Sequence, residues 1–140
     1  MKIDNNAPII PGISAAGISI GQTIHEILKS NSDFELDTIA DTSLYNFENI
    51  CLWVVGERVT QISIFNEYQG QINKQIGINS TIEDVQKEMG PISEDEDDNF
   101  ITAKVPGWCF ETDDWNTDSD EPEFEKNLDI EISEIFIQKL

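Results

Sequence analysis

The 140-residue chain has a single arginine, Arg58, a single histidine, His25, only two cysteines, and no apolar run approaching membrane-spanning length. Each scarcity excludes something. Nucleic acids and anionic membranes are held through lysine and arginine, so 8 basic residues against 28 acidic ones disfavour both as direct partners. One histidine leaves no nucleophile, base and orienting group to assemble, and no zinc site; His25 reads as a solvated position on a short helix. Cys51 and Cys109 each sit in an apolar run, CLWVV and GWCF, and read as small core residues kept reduced rather than as a redox pair. The amino terminus, MKIDNNAPIIPG, has no apolar core of signal-peptide length, so the expected location is the cytoplasm. The glycine-rich PGISAAGISIG lacks the lysine and the preceding strand of a phosphate loop. No cofactor and no enzymatic activity are expected.

What the chain has is acid. Its formal net charge is -20, an excess that strains the compact state and goes beyond what solubility needs, so a basic partner is expected. A hydrophobic content of 39% is enough for a core, and residues 1–140 are read as a single domain.

Periodicity predicts an α+β fold. Thr23, Ile24, Glu26, Ile27 and Leu28 have the spacing of a capped amphipathic helix, with Glu26 placed to complete a capping box. The same pattern returns at Thr81, Ile82, Asp84 and Val85, with Gly90 as its stop, which points to a degenerate internal repeat. Strand signals lie at FELDTI (34–39), ICLWVV (50–55) and RVTQISIF (58–65), the last two joined by a Gly56-Glu57 turn. Further strand signals lie at FITAKV (100–105), GWCFE (107–111) and LDIEISEIFI (128–137). In the last run, strict alternation sets Ile130, Ile132, Glu134 and Phe136 on one side and Glu131, Ser133, Ile135 and Ile137 on the other. The expected assembly is a mainly antiparallel sheet with two short helices packed on one face.

The acids are concentrated. Between residues 93 and 125 there are thirteen, opposed by Lys104 alone, and SEDEDDNF and DDWNTDSDEPEFE hold most of them. Among them stand Phe100, Trp108, Phe110, Trp115 and Phe124; Phe100 and Phe110 read as core, whereas Trp115 lies between Asp114 and Asn116. Aromatic anchors in a charged field supply binding energy at protein interfaces. The candidate partner-binding residues are therefore Asp95, Glu96, Asp97, Asp98, Asp113, Asp114 and Trp115. Carboxylates placed like phosphates suit the groove of a nuclease, which must be basic to hold its substrate. An alternative assigns the acids to calcium or to a small ligand. Asp118-Ser-Asp120 has locally suitable spacing, but the turn glycine and the bidentate glutamate of an EF-hand are missing.

The segments PGISAAGISIGQTIHEIL, QIGINSTIEDVQKEMGPISEDEDDNF and VPGWCFETDDW, within about residues 9 to 115, resemble immunity proteins of bacterial polymorphic toxins, particularly those of contact-dependent growth inhibition systems. That resemblance implies a small, cytosolic, non-enzymatic protein that binds a cognate toxin domain, often a nuclease. Such proteins share no catalytic motif, so it transfers no functional residue. Direct blockade of a ribonuclease cleft is the mechanism expected.

Overall fold

The computed structural model describes residues 2–96, 99–112 and 128–139. In chain order the elements are β1 (Ser14–Ala15), β2 (Ile18–Ser19), α1 (Ile24–Leu28), β3 (Glu35–Ile39), β4 (Thr42–Asn46), β5 (Ile50–Val55) and β6 (Arg58–Phe65). They continue with α2 (Ile82–Met89), β7 (Ile92–Glu94), β8 (Phe100–Thr102), β9 (Trp108–Thr112) and β10 (Ile132–Gln138). Strands β1 and β2 pair as a small hairpin, and the other strands form one 8-stranded antiparallel sheet in the order β3-β4-β5-β6-β10-β9-β8-β7. This is the α+β arrangement that the periodicity predicts.

The internal repeat extends well beyond the two helix starts. Gly21 N donates to Val59 O, Val59 N to Gln22 O and Ile24 N to Glu57 O; in the second half, Asn79 N donates to Ile132 O, Ile132 N to Ser80 O and Ile82 N to Ile130 O. Gly21 and Asn79 also share a positive φ, 94° and 75°. Each unit is thus a lead-in, a helix and a four-stranded meander whose last strand ties back to the helix start. The two last strands, β6 and β10, pair at the centre, where Ser63 faces Phe136 and the pairs Ile62–Ile137 and Ile64–Ile135 flank them symmetrically. Thr23 and Thr81 are 58 positions apart, as are Cys51 and Cys109, whereas Val59 and Ile132 are 73 apart. The second unit therefore carries 15 more residues between its third and fourth strands than the first.

One face of the sheet carries the core. Ile50, Leu52 and Val54 of β5, Ile62 and Ile64 of β6, and Ile135 and Ile137 of β10 cluster with Ile24 and Ile27 of α1 and Ile82, Val85 and Met89 of α2. The alternation along each strand places these side chains on one side. Tyr68 anchors the lead-in to this core: its hydroxyl donates to Ala7 O at 2.7 Å and accepts from Ala16 N at 2.7 Å.

Local expectations need three corrections. Ile132 pairs with Thr112 but Glu134 with Glu111, so a bulge at Ser133 breaks the alternation read from LDIEISEIFI. The extra residue lets Ile132 join Ile135 and Ile137 in the core, and turns Glu134 and Phe136 to the opposite face. Thr23 makes no side-chain capping bond, because α1 spans only five residues and its start is already held by backbone bonds to the β6 end. Thr81 and Asp84 form the complete capping box. Finally, β4 and β7 are strands that the sequence pattern did not reveal. TSLYN and ISE are short and partly polar, and they are ordered by pairing with β3, β5 and β8.

Candidate functional site

Of SEDEDDNF, Ser93 and Glu94 belong to β7 and Phe100 to β8, which pair at one edge of the sheet. There Asp95 N donates to Asn99 O at 2.9 Å and Asn99 N donates to Asp95 Oδ1 at 3.0 Å. The Asp95 carboxylate thus organises its own turn, while Glu96 is exposed. Asp97, Asp98, Asp113, Asp114 and Trp115 lie outside the described residues. Phe100, Trp108 and Phe110 are buried as a ring cluster, with centroids 5.3 Å and 5.2 Å apart, and Trp108 Nε1 donates to Thr102 Oγ1 at 3.1 Å. Those three aromatics build the core.

A second acidic and aromatic surface occupies the face of the sheet opposite the helices, in the first unit. Register places Asp37, Leu44, Trp53 and Gln61 in one row across β3 to β6. Glu35, Asn46, Cys51 and Ser63 form the next row, which continues to Phe136 on β10 and Cys109 on β9. Two side-chain bonds knit the rows together: Trp53 Nε1 donates to Ser63 Oγ at 2.9 Å, and Asn46 Nδ2 donates to Asp37 Oδ2 at 3.3 Å. Between them lies an open depression of ≈ 310 Å³, lined by Leu44, Asn46, Cys51, Trp53, Phe65 and Glu134 among others.

Around the depression the charge that register places is negative. Glu35, Asp37, Glu111 and Glu134 are the ionisable carboxylates that register puts there. Burial, then Glu134 and then Asp37, push the Cys51 thiol from 9.0 up to about 12, so it stays protonated and unreactive. The described cations lie elsewhere: Lys29 caps α1, Lys87 is in the last turn of α2, and Lys104 lies against Gly90 at the end of α2. Lys2 and Lys74 belong to the two lead-ins and Lys139 follows β10, while Arg58, opposite Val55 at the start of β6, turns its guanidinium to Gly21, Nη1 donating to Gly21 O at 2.8 Å. His25 approaches Glu57 at 3.4 Å in a solvated position.

Every residue of ICLWVV is apolar, which conceals this surface in the sequence. The usable signal was its split register, with Ile50, Leu52 and Val54 inward and Cys51, Trp53 and Val55 outward. The two cysteines form no disulfide and are buried, but lie on the outward face, three strands apart. Among the described residues, no three His, Cys, Asp or Glu side chains come together as a metal site, and no helix is long and apolar enough to cross a membrane.

No protein-family model matches the chain, and no curated protein matches it in sequence. A solved structure, that of a cysteine-rich secretory protein from Staphylococcus aureus, is similar in fold, with a TM-score of 0.53 at 10% identity. The match covers 99% of this chain and 50% of that one, so this chain spans half the length of that protein. At such identity the likeness concerns the fold alone.

Proposed function

We propose that this chain is an immunity protein that binds a basic toxin domain, a ribonuclease, and excludes RNA by covering its active-site cleft. The observation that carries the reading is the net charge of -20. So large an excess repels itself in the folded state, and a partner of opposite sign relieves that repulsion. A nuclease is such a partner, because its groove must be positive to hold nucleic acid. Long-range attraction would also speed capture, toward roughly 10⁸ to 10⁹ M⁻¹s⁻¹ at low salt, which suits an inhibitor that must act before its target cuts. The reading places the protein in the cytoplasm, without cofactor or catalysis of its own. Asp95, Glu96, Asp97, Asp98, Asp113 and Asp114 add to that long-range attraction.

The test is to co-express the chain with the protein encoded next to it and purify through a tag on one of them. Co-purification that weakens as salt rises supports the proposal. Separate elution at low salt, together with toxicity undiminished by this chain, contradicts it.

A further inference from the structure

The internal repeat supplies a control for what the fold itself requires. Equivalent positions in the two units have the same strand, register and face, so a residue type that the fold demands in one is expected in the other. The core meets this test: Ile62 and Ile64 correspond to Ile135 and Ile137, and Leu52 corresponds to Phe110. Cys51 corresponds to Cys109 on the outward face. The depression does not. Trp53 corresponds to Glu111, Phe65 to Gln138, and Glu134 to Gln61. Glu111 and Gln138 are exposed polar residues in a sheet that forms regardless. Strand pairing at these positions therefore proceeds without aromatics in the second unit.

Those aromatics are held ready. Trp53 is half-buried, and its indole N–H is already bonded to Ser63, which fixes the ring before anything docks and lowers the entropy lost on binding. Phe65 lies beside Glu134 in register, and Asp37 stands in the row of Trp53. A guanidinium suits such surroundings, because it stacks on an aromatic face and pairs with a planar carboxylate. The negative field of Glu134 and Asp37 reaches Cys51 at the floor of the depression. The turn holding Asp95 and Glu96 is at one edge of the sheet, five strand intervals from Trp53 on β5 and three from Glu134 on β10, or roughly 24 and 14 Å at the usual ~4.8 Å spacing. An interface of standard size centred on Trp53 therefore has that turn at its rim, where a charge contributes little to affinity.

We infer that the partner docks on the helix-free face of the first unit, seating an arginine side chain in the depression between Trp53 and Phe65, with Asp37 and Glu134 meeting its charge. The inference rests on the proposed function for the partner's basic character. It assigns the apolar anchor to Trp53 and Phe65.

The experiment is calorimetric titration of the full chain with the protein encoded next to it, at about 50 and about 200 mM salt. One variant combines Trp53→Glu with Phe65→Gln, the residue types that the second unit carries at equivalent positions. Another combines Glu35→Lys with Asp37→Lys on exposed β3, where folding is not at stake, and a third combines Asp95→Asn with Glu96→Gln. Circular dichroism checks that each is folded. The inference predicts at least a ~30-fold loss for the aromatic pair, about 10-fold for the β3 pair, and less than ~3-fold for the turn pair. Tight wild-type binding that the aromatic and β3 variants leave within ~3-fold overturns the docking face while leaving the proposed function standing. An absence of wild-type binding overturns both. Wild-type self-association abolished by the aromatic variant overturns the inference by making a second copy the occupant.

Discussion

Single side chains show how burial sets chemistry. The Cys51 thiol ionises at about 12 when folded, against 9.0 when exposed, so in that interval the folded state holds a proton that the unfolded state has lost. Its contribution is complete below pH 9 and disappears as pH rises toward 12. Cys51→Ala is expected to remove the loss of stability that begins near pH 9, which urea midpoints at about pH 8 and about pH 10 will reveal. The Tyr68 hydroxyl, pushed by burial from 10.0 to about 12, has the same sign, so part of the alkaline loss persists above pH 10 in that variant. Tyr68→Phe leaves the buried Ala16 N–H unpaired and is expected to cost about 1–3 kcal/mol in denaturant unfolding. Little of this was legible in the sequence. The burial of Tyr68 depends on Ala7 and Ala16, 61 and 52 positions away.

At the level of elements, the two helices have matched starts and different chemistry. Thr81→Ala breaks a formed capping box and is expected to lower stability by about 1 kcal/mol, whereas Thr23→Ala, at a position without a side-chain cap, is expected to have a much smaller effect. Thermal or urea unfolding of the two variants side by side checks the difference. Both helices, the strands of the first unit from ICLWVV to RVTQISIF, and the turn between them were legible, because apolar spacing and turn residues are local signals. The β10 bulge was not. It is set by the pairing of Glu134 with Glu111 and by the benefit of bringing Ile132 into the core, and neither is visible along one strand.

For the molecule as a whole, duplication and charge work together. The repeat was legible from two helix starts. Its full extent required the matched backbone bonds and the central pair Ser63–Phe136. The candidate site was legible as acid but not as geometry: composition revealed an excess of carboxylates, while the face carrying Asp37, Trp53 and Glu134 emerged only from cross-strand register. A net charge of -20 predicts that salt stabilises the free protein by screening self-repulsion, so its Tm is expected to rise between about 20 and about 300 mM salt, while partner binding weakens over the same range. The most direct measurement of the central claim is RNA cleavage by the protein encoded next to this chain, with the chain titrated in. The account predicts that cleavage stops at about one equivalent at low salt. Undiminished cleavage with the chain in tenfold excess, or a neighbouring protein that leaves RNA intact, would contradict it.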